Sequence, residues 1–305
     1  MSAEIKVGMV GLDTSHCEAF AKILHDESGD YFLPGAKIVA AYPGGSPRFS
    51  KSHERVQGFT DLLHKRYGVS LYDDLVRLAN DVDAIFLESV DGRQHAEQFA
   101  QLAVGKPVFI DKPFATSAQD ARAIIQRAQA TATPIMSCSS LRYAAGIVDL
   151  VDANEAVVAA ETFGPAVLLD DFPGLFWYGI HSAEVLLALL GTGCRQVQTI
   201  ARPDLDVVIG DWAAPGGPPR QGVLRGMRSG AGQFGAVVHT AQTVKAAVAQ
   251  SAPPSYYLML RQVLPFFQTG QSPIAIQETY EITAFLEAAE KSRTRGGEVV
   301  ALEPF

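Results

Sequence analysis

Ile5-Lys6-Val7-Gly8-Met9-Val10-Gly11-Leu12-Asp13-Thr14-Ser15-His16 is the stretch that decides the fold. Ile5 to Val10, apolar but for Lys6, reads as a buried strand, as expected when helices cover both faces of a sheet. Gly11 ends it, and helical spacing follows from Ser15 to Asp26, with Phe20, Ile23 and Leu24 on one face. The same rhythm continues downstream. Strands are expected at Lys37–Ala41, Val69–Leu71, Ala84–Leu87, Pro107–Ile110 and Pro134–Cys138. Helices are expected from about Glu54 to Tyr67, after an Asp73 cap, over Gly92–Val104 with a stop at Gly105, and from a Ser117/Asp120 capping box to about Thr131. Such β-α alternation with unbroken apolar strands predicts a doubly wound α/β Rossmann domain with a parallel sheet, assigned to residues 1–138.

Residues 139–305 read differently. Leu175–Leu190 is expected to be a nearly all-apolar, buried helix. Strand-like pieces follow at Val197–Ala201, Asp206–Ile209, Val223–Met227 and Gly235–Thr240, with Pro215-Gly216-Gly217-Pro218-Pro219 as a surface loop. Helices at Ser255–Thr269 and Gln277–Arg293 end the pattern. Strands grouped between helices predict an α+β domain with a largely antiparallel sheet.

The chain has 305 residues, 48% hydrophobic and 19% charged, which suits two globular domains. A formal net charge of −8 without a basic stripe argues against a nucleic-acid partner. Three widely spaced cysteines, Cys17, Cys138 and Cys194, form neither a disulfide framework nor a zinc pattern. The first strand begins too early for a signal peptide, and no apolar run is long enough to span a bilayer. A soluble, cytoplasmic protein is expected.

Ligands of doubly wound sheets bind at the carboxyl ends of the strands, so those positions come first. A dinucleotide fingerprint G-x-G-x-x-G starting at Gly11 keeps only its first glycine: Asp13 and His16 stand at the second and third. A carboxylate facing a diphosphate is repulsive unless it turns away, and Asp13 or Ser15 serves equally well as a helix cap. The second strand lacks the acid that grips an NAD ribose. Ser46 and Arg48 either hold a 2′-phosphate, favouring NADP, or belong to a solvated Pro/Gly loop. After the fourth strand come Glu88, Ser89, Asp91 and His95. Buried Glu88 needs a partner, with Arg93 or Lys112 expected, and His95 either binds or merely packs. Asp111 and Lys112 follow the fifth strand. Lys112 is a candidate for proton transfer, or a structural partner of Asp111 or Glu88. In the second half, His181, Glu184 and Trp177 share one face of the apolar helix.

Together these residues resemble the Gfo/Idh/MocA family, named for glucose–fructose oxidoreductase and inositol dehydrogenase. Ala103-Val104-Gly105-Lys106-Pro107-Val108-Phe109-Ile110-Asp111-Lys112-Pro113-Phe114 is similar to the family stretch A-x-x-G-K-x-V-x-x-E-K-P, with Asp111 for the usual Glu. Gly179-x-His181-x-x-Glu184 resembles part of D-x-G-x-H-x-x-D, and Gln277 to Gly296 resembles the closing helix. Trp177 stands where the family has an aspartate, and Ser89-Val90-Asp91 replaces T-P-N. The resemblance implies hydride transfer between NAD or NADP and a sugar, polyol or sugar-acid hydroxyl. Lys112 and His181 would manage the hydroxyl proton. Gly11, Leu12, Asp13, Thr14, Ser15, His16, Ser46, Arg48, Glu88, Ser89, Asp91, His95, Asp111 and Lys112 would surround the cofactor. Arg142 at the domain junction, Trp177, Tyr178 and His181 would line the substrate side. A homodimer or homotetramer is also implied.

Two other readings stay open. One is a lyase, epimerase or isomerase using the same residues, with or without a cofactor. Asp13, His16, Glu88, Asp91, His95, Asp111 and His181 could then include metal ligands, but their spacing matches no defined metal motif and none is assigned. The other is a non-catalytic sensor on a degenerate Rossmann fold, against which Lys112 and His181 argue, since a pure binder needs neither.

Overall fold

Val7 to Val10 are fully buried in β1 (Ile5–Val10), which hands the chain through Gly11 to α1 (His16–His25), as the opening stretch requires. In the computed structural model, residues 4–151, 156–213 and 219–305 are described. The first half continues with β2 (Ala36–Tyr42), α2 (Ser50–Tyr67), β3 (Ser70–Leu71), α3 (Leu75–Asp81), β4 (Ala84–Leu87), α4 (His95–Leu102), β5 (Val108–Ile110), α5 (Ala118–Ala130) and β6 (Ile135–Met136). These strands form one six-stranded parallel sheet in the order β3-β2-β1-β4-β5-β6, a Rossmann sheet. Every residue of β4 and β5 is buried, which is why these strands read as unbroken apolar runs.

The second half holds a short 3-10 turn at Ser140–Tyr143, α6 (Val148–Val151), β7 (Val157–Pro165), another 3-10 turn at Gly174–Phe176 and α7 (Gly179–Leu190). Then come β8 (Cys194–Ala201), β9 (Leu205–Trp212), β10 (Arg220–Met227), β11 (Gly235–Thr240), β12 (Val244–Val248), α8 (Ser255–Thr269), α9 (Ile276–Thr294) and β13 (Val300–Ala301). The seven strands order as β12-β11-β7-β10-β9-β8-β13. All neighbours are antiparallel except β7 and β10. α7 packs on β7 and β10, and α9 on β8. Side chains of β9 accordingly alternate between buried and half-buried.

Contacts divide the chain into two units: residues 1–115, 119–138 and 256–275 form one, and 116–118, 139–255 and 276–305 the other. A single division at 138/139 would put all of α8 with the second half, yet residues 256–275 group with the first. The cause is aromatic packing. Phe267 meets Phe86 of β4 at 5.0 Å between ring centroids, and Tyr256 meets Phe20 of α1 at 5.8 Å.

Several sequence-based boundaries shift. Asp74, not Asp73, caps α3, accepting from the Arg77 backbone N–H at 2.7 Å. The helix expected over Gly92–Val104 begins only at His95, because Gly92 to Gln94 form a turn in which the Gln94 N–H reaches the Asp91 carbonyl at 3.0 Å. The helix expected from Leu175 begins at Gly179. Gly174 sits at a φ of +25°, and a Cβ there would meet Glu290 Oε2 at 1.9 Å, so the chain turns beneath Glu290 before helix can propagate. β7 and β12 were not foreseen; β7 holds Ala159, Ala160 and Gly164, weak strand formers whose place is set by pairing on both sides. Pro215–Pro218 of the expected surface loop lie outside the described residues. Among the described residues, no helix is long and apolar enough to cross a membrane.

Replacing Phe267 by Ala should remove the ring under β4 and cost about 3–5 kcal/mol in urea unfolding. Hydrogen exchange should show the loss of protection in β1 and β4, with β8 to β10 unchanged.

Candidate active site

The site begins at the turn from β1 into α1. Gly11 adopts a φ of +86°, and a Cβ there would lie 2.3 Å from the Ser89 nitrogen. The one retained glycine is therefore where two strand-end loops touch. Its N–H and that of Leu12 donate to the Tyr42 and Pro43 carbonyls at 3.0 and 2.8 Å. Asp13 is fully buried and turned into the protein. Its carboxylate accepts from the Ser52 hydroxyl at 2.5 Å and from the Val90 N–H at 2.9 Å. Burial pushes its pKa up, against the pull of those two hydrogen bonds. Ser15 flanks α1 without a side-chain cap bond, and Thr14 is buried.

The bonds continue outward from Asp13. Ser52 Oγ accepts from the Ser46 N–H at 2.6 Å, and Ser46 Oγ donates to Asp91 Oδ2 at 2.6 Å. Arg93 grips Asp91 from the other side, Nε to Oδ1 at 2.7 Å and Nη2 to Oδ2 at 2.9 Å. Asp91 is buried, which alone would raise its pKa, but Arg93 and Ser46 bring the net shift down. The hydroxyl proton of Ser46 is thus committed to Asp91, while its oxygen accepts from the Arg48 N–H at 3.3 Å. His95 is also fully buried. Its two ring nitrogens lie 2.7 Å from the Ser89 carbonyl and 3.1 Å from that of Phe114, so it staples two strand-end loops.

The third glycine position opens a different environment. His16 is buried, with Nδ1 3.1 Å from Glu88 Oε2 and 3.0 Å from Asp111 Oδ2. The partner of Glu88 is therefore His16 from α1; the expected Arg93 is held by Asp91, because both leave the same short loop. Burial, then the neighbouring Asp111 charge, push Glu88 up to about 7 despite the pull of His16. Burial opposes charge on His16 and Asp111 too. There the opposite charges win: Asp111 holds the imidazole well above its ordinary value, while His16 and Lys112 hold Asp111 low. Lys112 is half-buried, and its charge acts on both carboxylates.

The second unit carries its own constellation. Ser139, fully buried, places Oγ 2.7 Å from His181 Nδ1 while accepting from the Leu141 N–H at 3.1 Å. Phe172, Trp177, Tyr178, His181 and Phe234 form a chain of ring contacts with centroids 5.4 to 5.8 Å apart. Arg142 donates from one nitrogen to Glu184 at 3.2 Å and also to Glu278 of α9. Two carboxylates thus share one guanidinium. Glu184, the deeper of them, is pushed up to about 7 by burial against the pull of Arg142. Lys112 belongs to the first unit and His181 to the second, so each set is held by its own scaffold.

Sequence reasoning missed Ser52, Ser139 and Glu278. Ser139 lies just past β6, where the strand-end rule would have found it. Ser52 and Glu278 sit in helices whose sequence marks them only as polar.

Residues 5–137 match the Gfo/Idh/MocA oxidoreductase family in its NAD-binding Rossmann fold. Among solved structures, the chain is similar to apo scyllo-inositol dehydrogenase from Lactobacillus casei: 16% identity, 99% of each chain covered and a TM-score of 0.77. It is also similar to myo-inositol dehydrogenase from the same organism, solved with NAD(H) and myo-inositol, at 16% identity, covering 99% and 98% with a TM-score of 0.73. Myo-inositol 2-dehydrogenase from Lactobacillus plantarum is 16% identical over 98% of this chain and 100% of its own, with a TM-score of 0.74. No curated protein matches the chain.

Two outcomes check this geometry. Ser52→Ala should leave buried Asp13 short of a donor and cost about 1.5–3 kcal/mol in urea unfolding. Glu184 holds its proton above its unfolded range, so its share of stability is full below about pH 4.5 and is lost as pH rises to about 7. Over that window the loss is on the order of 3 kcal/mol. Thermal melts of Glu184→Gln against pH should show that slope flattened.

Proposed function

We propose, from the match of residues 5–137 to the Gfo/Idh/MocA oxidoreductase family in its NAD-binding Rossmann fold, that the chain is a nicotinamide-dependent oxidoreductase of a sugar, polyol or sugar-acid hydroxyl. One observation carries the reading. Asp13, the residue most at odds with a diphosphate, points its carboxylate into Ser52 and the Val90 N–H. With that carboxylate turned away and the Gly11 and Leu12 N–H groups held by carbonyls, the start of α1 is the part of the turn that would meet an anion, as helix N-termini do with phosphates. The residues present fit the cofactor.

The Gly11–His16 turn would hold the diphosphate, and the Ser46–Arg48 loop the adenosine ribose. Because Ser46 donates its proton to Asp91, it has none for a 2′-phosphate, which moves the preference from NADP toward NAD. When bound, the nicotinamide accepts or returns a hydride. The hydroxyl must lose a proton as its carbon loses that hydride. Lys112, as the neutral amine, is the group assigned to take it, becoming an ammonium whose charge acts on Glu88 and Asp111. In the second unit His181, oriented by the Ser139 hydroxyl, would offer a hydrogen bond to a polyol oxygen. Trp177 and Tyr178 supply ring surface for the apolar face of a cyclic polyol, and Arg142 supports this wall through Glu184. The inositol dehydrogenases among the similar structures support a polyol as substrate class.

Calorimetric titration of purified protein with NAD⁺, NADH, NADP⁺ and NADPH is the direct test. Micromolar binding of the NAD pair, tighter than of the NADP pair, is expected; no binding of any of the four overturns the reading. Lys112→Ala should then lower kcat about 10²–10⁴-fold with cofactor affinity retained.

A further inference from the structure

Three strand ends deliver one donor group each to a single buried point. His16 comes from the end of the β1 turn, Glu88 follows β4, and Asp111 follows β5. One atom from each lies within 4.8 Å of the others, and all three residues are buried. The hydrogen bonding there is incomplete. One imidazole Nδ1 has one proton, yet two carboxylate oxygens lie about it at 3.1 and 3.0 Å. Glu88 Oε2 forms the hydrogen bond, Asp111 Oδ2 is left without an aligned one, and Glu88 Oε1 has no partner. Unsatisfied carboxylate oxygens at 0% and 1% exposure are costly, and each calls for a ligand.

We propose that His16, Glu88 and Asp111 form a binding site for one divalent transition-metal ion. A 2+ ion would take the place of the His16 proton against the two carboxylates and needs the imidazole neutral, with Nδ1 as donor. The two separations from His16 Nδ1, 3.1 and 3.0 Å, suit this. Adjacent ligands around an ion with bonds of about 2.1 Å stand roughly 3.0–3.4 Å apart in octahedral or tetrahedral geometry. Glu88 Oε1, beside Oε2, supplies a second tooth, so three residues offer four donor atoms. One nitrogen with carboxylate oxygens selects ions of the zinc and manganese class over magnesium or calcium, which take oxygen alone. Tyr256, whose ring meets His16 at 4.8 Å, closes the site on the imidazole side. The ion would tie the start of α1 to the ends of β4 and β5. This site does not depend on the nicotinamide reading.

The test uses the full chain, stripped with chelator and then titrated with Zn²⁺ and separately with Mn²⁺ by calorimetry in two buffers of different ionisation enthalpy. One equivalent of either ion is expected to bind, with protons released. Glu88→Gln, which keeps the shape of the side chain, should weaken that binding at least 100-fold, and His16→Ala should do the same. Absence of stoichiometric binding by both ions overturns the proposal. So does equal binding by wild type and Glu88→Gln, which would locate the ion elsewhere. The cofactor titration reads the nicotinamide proposal separately, so either can fail alone.

Discussion

The Asp13 carboxylate is the interaction on which the first unit's architecture turns. It is fully buried at the start of the first helix, and it persists because Ser52 and the Val90 N–H both donate to it. A side chain so held cannot swing toward a ligand without leaving two donors orphaned. Its position also dictates the next contacts. Ser52 receives the Ser46 N–H, Ser46 reaches Asp91, and Arg93 closes the series with two bonds. Loops after β1, β2 and β4 are thereby bound to the start of α2 by one continuous set of hydrogen bonds. In a dry environment such a set is rigid when complete and costly when broken.

The neighbouring His16 group obeys the same electrostatics with a different result. Here the donors run short: one imidazole faces two carboxylates, and buried oxygens stay unmet. The contrast lies in where each residue projects. Asp13 points across the sheet end toward α2, where serines are at hand. His16 is the first residue of α1 and runs inward toward the ends of β4 and β5, where it meets Glu88 and Asp111. Two substitutions of the same glycine fingerprint thus have opposite consequences, one completing a network and the other creating a demand for a cation.

The second unit solves a similar problem with a permanent cation. Arg142 serves both Glu184 and Glu278, tying the turn after Ser139 to α7 and α9. Because one guanidinium is shared, the deeper carboxylate is the one whose charge is disfavoured. The same turn positions Ser139 against His181, so the orientation of that imidazole depends on the anchoring of Arg142.

Much of the fold was legible in the sequence because it follows from local periodicity. Apolar runs at Val7–Val10 and Ala84–Leu87 mark strands covered on both faces, and Gly11 and Gly105 mark where the chain must turn. The strand-end rule likewise located Asp13, His16, Glu88, Asp91, Asp111 and Lys112 as the residues to inspect. Directions and partners were not legible. Whether Asp13 faces outward or inward depends on Ser52, 39 residues away, and the partner of Glu88 is His16, 72 residues away. The same holds for α8, whose apolar face packs beside β4 through Phe267 and Phe86. Sequence by itself determined which residues reach the carboxyl ends of the strands, because strand period and turn chemistry are local. Tertiary structure alone decided which of them meet, because burial makes each charge seek the nearest donor in space rather than in sequence.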